Sequence, residues 1–340
     1  SVQVLDPDLD RGQAWRAAAG MLAAQIEAQE GDALLELALA GREFYTSLAP
    51  ALLETTGIDI GLWRDGIANV ALDDADVIEL RAKVASQRQQ GQLVDWLEPS
   101  EVKTRWPWMG RTCGALWAPQ EGALDPIRLV QALRADAALA GATLVADDVV
   151  GIDVRGDRIV GVVGRKGRYG ADHVVLAAGA WTGSLAGLPR PVSVVPVRGQ
   201  MAAQPWPRGV EPAIVYAKNS YVLARGAEAL CGSTMECAGF DPTVTSDGLA
   251  RIRAAATAIC PPLAATPPAR TWAGLRPMTP DGLPILGAEP RLRGLWYATG
   301  HGRHGILLAG ITGLMLRLLV NGQTPTEDLS PFRPERFWNW

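Results

Sequence analysis

The densest grouping of chemically versatile side chains is Gly300-His301-Gly302-Arg303-His304-Gly305, which holds two of the three histidines in the chain. Its glycines follow the G-x-G-x-x-G spacing, between a β-prone run and an apolar helical run. A dinucleotide fingerprint needs a strand–helix–strand unit, with an acidic residue about 20 positions on, closing the second strand. Here the helix continues to about Val320 and no strand follows it, so a nicotinamide-binding reading fails. What remains is a turn that permits close approach and a helix start that stabilises negative charge. A tight strand-to-helix turn with no ligand would use the same residues.

Arg276 is the one charge before Asp281 in Thr271–Gly287, "TWAGLRPMTPDGLPILG". A guanidinium between Leu275 and Pro277 is costly to bury unless it meets an anion, and its fork matches a carboxylate. The anion is either a ligand or an internal Asp or Glu. In residues 17–28, "AAAGMLAAQIEA", small side chains allow a backbone to lie flat on something large; a plain small-residue helix is the alternative. "VVLAAGAW", residues 174–181, ends an apolar strand at Gly179, where doubly wound sheets hold ligands. Near the start, Val2–Leu5 is β-prone and ends at Asp6, the position from which an acidic side chain reaches a ribose in dinucleotide folds.

Paired carboxylates, G-x-S-x-G, a Walker loop and H-E-x-x-H are all missing from the sequence, and the cysteines (113, 231, 237 and 260) show no C-x-x-C spacing. A chain poor in acid, base and metal sets but rich in glycine turns points to chemistry carried by a bound cofactor. The net charge of −4 and pI near 5.5 argue against nucleic acid or an anionic membrane as partner. The longest apolar stretch, residues 305–320, carries Arg317 and is short for a bilayer. The expectation is a soluble cytoplasmic protein with reduced thiols.

These residues must be positioned by interleaved α and β elements. Apolar spacing predicts a helix over 31–57 with Asp32 in its first turn, and Asp125-Pro126 opens another. A polar helix is expected at about 74–90 and a further helix at 245–259. Residues 61–72 read as a hairpin turning at Arg64-Asp65-Gly66. Residues 143–154 read as one strand leading into a small antiparallel sheet. Residues 174–179 read as a strand buried throughout. Residues 192–236 are strand-rich, and a helix opens at about 303.

In order and separation, "AAAGML", "AAGAW", "WAGLRP", "DGLPILG" and "GHGRHGILLA" resemble the glycine oxidase/D-amino-acid oxidase family of FAD-dependent oxidoreductases, with the bacterial glycine oxidases of thiamine biosynthesis most similar in pattern. The resemblance implies a mixed α/β fold: a doubly wound FAD domain (1–60, 126–190 and 276–335) and a substrate domain with a large mixed sheet (61–125 and 191–275). It implies non-covalent FAD and no metal. The family's first strand, glycine turn and helix have no counterpart ahead of Val2, so an N-terminally truncated FAD domain is expected.

Carried over, Asp6 corresponds to the ribose-binding acid, and Val149 to a backbone contact with the adenine. Ala178, Gly179 and Trp181 correspond to a strand end near the pyrophosphate. Ala18, Ala19, Gly20 and Met21 correspond to the segment along the flavin, and His301, Arg303, His304, Gly305 and Ile306 to the turn at its pyrimidine edge. Arg276 corresponds to the carboxylate clamp, and Tyr221, Met235, Arg303 and Met21 to the pocket lining. The activity implied is oxidation of glycine or a small N-methyl or D-amino acid, with molecular oxygen as electron acceptor and a homo-oligomeric assembly. An electron carrier in place of oxygen, or a flavin-free inactive chain, are the competing readings.

Overall fold

The computed structural model describes residues 1–7, 9–28 and 33–338. Asp32, expected in the first turn of a helix, lies outside the described residues.

The alternating apolar segments between 67 and 278 pair into one eight-stranded sheet. Its order is Arg270–Met278, Val195–Pro205, Glu228–Gly232, Ser220–Arg225, Ile214–Ala217, Ile67–Ala71, Gly114–Ala118 and Asp95–Leu97. Every pairing is antiparallel except that of Ile214–Ala217 with Ile67–Ala71. Successive side chains point to opposite faces, and both faces are covered. Val215, Val222 and Cys231 pack under the helix Ser246–Ile259, while Ile214, Tyr221 and Leu230 share a core with Leu80 and Val84 of the helix Asp74–Gln89.

Smaller sheets flank this one. Gln3–Leu5 pairs in parallel with Thr143–Val145, and Val174–Leu176 in parallel with Leu295–Thr299. Val149–Arg155, Arg158–Gly164 and Arg168–Gly170 form the expected antiparallel sheet. The helices Leu35–Thr56, Pro126–Leu139 and Gly305–Val320 share a core through Leu37, Tyr45, Leu129, Leu308 and Met315. Gly41 lets two of them approach closely, because a β-carbon there would run into the Leu307 carbonyl. The mixed α/β architecture with a large mixed sheet is the one the sequence implied.

Three local expectations are corrected. Residues 61–72 form no hairpin: Ile67–Ala71 is buried throughout and pairs with Gly114–Ala118 and Ile214–Ala217, while Trp63 bridges Ala123. The strand expected over 143–154 is two, Thr143–Val145 and Val149–Arg155, in different sheets. Val174–Leu176 is short and half-open, with Val175 43% exposed, because that face of its small sheet is uncovered.

Candidate active site

Arg276 lies on the strand Arg270–Met278, opposite Val197. Its guanidinium rests over Gly199 of the neighbouring strand, where a β-carbon would overlap Nη1, Cζ and Nη2. Nη1 donates to the Thr234 carbonyl at 3.0 Å and Nη2 to Ser233 Oγ at 2.7 Å. Both acceptors are neutral, and no carboxylate pairs with Arg276 among the described residues. Burial, the largest influence, pulls its pKa down, the signature of a cation held short of water.

The segment carrying those acceptors is pinned. Thr234 Oγ1 accepts from the Gln200 N–H at 3.0 Å, and Arg198 and Glu236 exchange backbone hydrogen bonds at 2.9 and 3.0 Å. The Glu236 carboxylate also takes Arg198 Nε at 2.8 Å and Arg251 Nη2 at 2.6 Å.

Tyr221 sits opposite Gly232, and its hydroxyl donates to Met201 Sδ at 3.1 Å. A thioether is a weak acceptor, so the hydroxyl can turn to a carboxylate. The ring stacks on Tyr216 at 6.1 Å, and burial raises the phenol pKa. Arg276 and Tyr216 each feel Tyr221, Glu27, Arg303 and one another electrostatically.

Arg303 comes from the turn before the helix Gly305–Val320. Gly300 and Gly302 adopt φ of 73° and 54°, a region costly for side-chain-bearing residues. The Gly302 N–H donates to the Pro277 carbonyl at 2.9 Å, tying this turn to the strand that carries Arg276. Arg303 Nε lies 2.8 Å from Glu27 Oε2, and His304 Nδ1 lies 3.4 Å from the same oxygen. His301 bonds Thr312 Oγ1 at 3.1 Å, and burial lowers its pKa to about 4, so it is neutral near pH 7. Arg303 faces an open pocket of about 500 Å³ with Asn219, Ser220, Ser233, Thr234 and Met235, the last being 52% exposed.

The stretch 17–28 is not one helix. Ala14–Ala17 and Ala24–Glu27 are single helical turns, separated by the short strand Met21–Leu22. Gly20, at φ 78°, is packed so closely on the Leu124 carbonyl that a β-carbon could not fit. The chain is held to the large sheet by Trp272 Nε1 on the Ala17 carbonyl at 3.2 Å and by Arg225 on the Ala19 carbonyl. The backbone of Ala18, Ala19, Gly20 and Met21 is thus fixed in place.

The remaining expected residues form a second group. Asp6 ends Gln3–Leu5, bonds the Val145 carbonyl through its N–H at 3.0 Å, and pairs with Arg134 at 2.6 Å. Val149 opens the strand Val149–Arg155 nearby. Ala178 and Gly179 begin a 3-10 turn, whose Gly179 carbonyl accepts from Thr182 and Thr299 hydroxyls at 2.8 and 3.1 Å. Trp181 packs at a tilt against Phe240, ring centroids 5.7 Å apart. The bond to Thr299 joins this group to the turn holding His301, Gly305 and Ile306.

Residue-type reasoning overlooked Glu27, Gly199 and Glu121. Glu121 is fully buried and accepts the N–H groups of Gln25 and Ile26, the latter at 3.3 Å. Lys83 Nζ donates to the Ile26 carbonyl at 2.5 Å, and the Gln87 amide to the Gln25 carbonyl at 2.8 Å. The turn bearing Glu27 is therefore clamped from two distant segments. The one available signal was Gln25 and Glu27 standing among alanines. Among the described residues no cluster could hold a metal ion, all four cysteines are free, and no helix is long and apolar enough to cross a membrane.

A strand-end acid, glycine turns at a helix start and a buried arginine hydrogen-bonded only to neutral oxygens make up the kind of site a cofactor-dependent enzyme uses. The chain belongs to the FAD dependent oxidoreductase family, whose profile matches residues 1–318. It is 36% identical over 322 residues to the glycine oxidase of Geobacillus kaustophilus, covering 93% of this chain and 85% of that protein. It is 33% identical over 338 residues to the glycine oxidase of Pseudomonas aeruginosa, covering 96% and 91%. The crystal structure of the Geobacillus kaustophilus enzyme matches with a TM-score of 0.93 and 34% identity, over 98% of this chain and 92% of that one.

The residues present fit FAD. The helix Gly305–Val320 starts without a side-chain cap, so its first N–H groups remain available to an anionic ring edge. The glycines before it let the turn pack closely on Thr279 and Met278. This chain is an FAD-dependent oxidoreductase.

Proposed function

We propose that the protein oxidatively deaminates glycine or a small N-methyl or D-amino acid. For glycine, one molecule each of amino acid, dioxygen and water gives one each of glyoxylate, ammonia and hydrogen peroxide. FAD, when bound, supplies the two-electron acceptor that returns to its oxidised form with oxygen. Arg276 takes the substrate carboxylate through its fork, and the Tyr221 hydroxyl adds a hydrogen bond. Held at two points, the α-carbon is fixed in orientation, the main contribution asked of the protein. Met235 and Met21 line the approach.

The cofactor is held, on this reading, by Asp6 at the adenosine ribose, which Arg134 already engages and would share. Val149 meets the adenine; Ala178, Gly179 and Trp181 lie near the pyrophosphate. Ala18 to Met21 run along the flavin, and His301, Arg303, His304, Gly305 and Ile306 meet its pyrimidine edge, where the helix start stabilises negative charge. Residues 1–60, 126–190 and 276–335 are assigned to the FAD domain, and 61–125 with 191–275 to the substrate domain. A homo-oligomer in the cytoplasm serving thiamine biosynthesis completes the proposal, on the resemblance to glycine oxidases.

The observation that carries this reading is Arg276, held over Gly199 with only neutral oxygens for company. The test is a panel of glycine, N-methylglycine and D- and L-alanine, with purified protein and added FAD, following oxygen uptake and peroxide together. Equal oxygen uptake and peroxide formation supports the proposal. Dye reduction without peroxide replaces oxygen by a carrier, and a bound flavin that no amino acid reduces overturns the proposal.

A further inference from the structure

Two guanidiniums meet at one pocket, Arg303 in its lining and Arg276 behind it, bonded to the lining residues Ser233 and Thr234, and their surroundings differ. Arg276 has the Thr234 carbonyl and Ser233 hydroxyl as acceptors. Arg303 has the Glu27 carboxylate at 2.8 Å, on a side chain that is 8% exposed. Glu27 is not a loose surface acid that drifted onto a neighbouring cation. It ends a turn fixed by Glu121, Lys83 and Gln87, and its Oε2 also meets His304 Nδ1 at 3.4 Å.

We propose that Glu27 is a specificity-determining residue that restricts the pocket to ligands with one carboxylate, by neutralising Arg303 and leaving Arg276 to bind the anion. The proposal rests on the reading of Arg276 as the carboxylate clamp. A ligand with a second carboxylate must either displace Glu27 from Arg303, leaving a buried carboxylate unpaired, or place two anions side by side. Replacing Glu27 by an amide keeps its shape and hydrogen-bonding capacity but removes the charge. Arg303, whose planar fork suits a carboxylate, then becomes a second anion site.

Acetate and malonate test this without turnover, because neither carries an amine to oxidise. Their affinities are measured by calorimetry on the purified chain with FAD supplied, for wild type and Glu27→Gln. The expected result is that the acetate-to-malonate preference falls by roughly tenfold or more in Glu27→Gln, the scale of one close charge pair. A general packing defect weakens both ligands and leaves the ratio alone, so an unchanged ratio overturns the proposal. If Glu27→Gln does not fold, Arg303→Gln supplies the opposite perturbation. It leaves Glu27 unneutralised and moves the ratio further toward acetate; a ratio that stays put overturns the proposal equally. Arg276→Gln separates the two readings. Acetate binding undiminished in that variant removes the clamp itself, whereas acetate binding lost there with the Glu27 ratio unmoved removes only the role of Glu27.

Discussion

Gly199→Ala is a one-carbon perturbation aimed at the clamp. No left-handed φ is required at Gly199, so alanine meets no backbone strain, and its β-carbon collides with the Arg276 guanidinium. The obstructing atoms belong to the far end of a flexible side chain, so the arginine yields and the sheet does not. The expected stability cost is about 1 kcal/mol, the low end of overpacking. The expected functional cost is larger, because a displaced fork no longer meets a carboxylate at two points. Losing that charge-assisted pair is worth about 2–3 kcal/mol, or about 30- to 150-fold in KM. Steady-state oxidation of glycine gives KM and kcat, and thermal melting checks the fold. A second comparison removes ambiguity: in an Arg276→Ala background, Gly199→Ala should add almost nothing, because its target is gone. A Gly199→Ala protein with intact melting and unchanged KM would refute the placement of the guanidinium as the carboxylate site.

Other perturbations follow from the same structure. Tyr221→Phe should raise KM by about two- to tenfold, the loss of one hydrogen bond of about 0.5–1.5 kcal/mol, with melting unchanged. Steady-state kinetics and a melting scan check both halves. Burial pushes the Glu121 carboxyl from 4.5 up to about 8, against the N–H bonds from Gln25 and Ile26. The native state therefore holds a proton that the unfolded chain has released between those values, and stability falls as pH rises through that window. His301, lowered from 6.5 to about 4, has the opposite slope, since stability is lost as pH falls from 6.5. Between pH 6.5 and 8, above the His301 window, the Glu121 effect has a slope of about 1.4 kcal/mol per pH unit. Denaturant titrations should show Glu121→Gln losing that decline; parallel curves for the two proteins would contradict it. Glu289 is fully buried with Arg190 and accepts from Tyr297 at 3.1 Å. Glu289→Ala should cost about 3–5 kcal/mol by breaking that buried ion pair, read from denaturant midpoints.

Legibility of the sequence followed the range of the interactions. The strands between 192 and 236 were readable because a run of β-prone residues is a local property, and Thr245 and Asp125 mark helix starts by capping their own next residues. Arg276 and Tyr221 were readable because their segments keep a recognisable order. The hairpin at 61–72 failed for the opposite reason. Ile67–Ala71 chooses partners at 114–118 and 214–217, and nothing in its own five residues names them. Glu27 was hidden because 17–28 has helical composition; only Glu121 and Lys83, far along the chain, break it into turns and fix its acid. Gly199 reads as a weak point in a strand until Arg276 is seen lying across it.

The large sheet has one parallel seam, where Val215 meets Ala68 and Tyr216 meets Asn69. On one side every strand comes from residues 195–278, and on the other from residues 67–118. Arg276 and Tyr221 belong to the first side. The second leads on to Glu121, whose carboxyl group fixes the turn bearing Glu27. Closing the seam joins chain pieces far apart in sequence, a step opposed by loop entropy and rewarded late in folding. The two sides share their cores on both faces of the sheet, so opening of those two residue pairs would loosen the turn bearing Glu27 from the strands that carry Arg276 and Tyr221. Amide exchange at Val215 and Tyr216 is therefore the place to read how firmly the two halves of the sheet are joined.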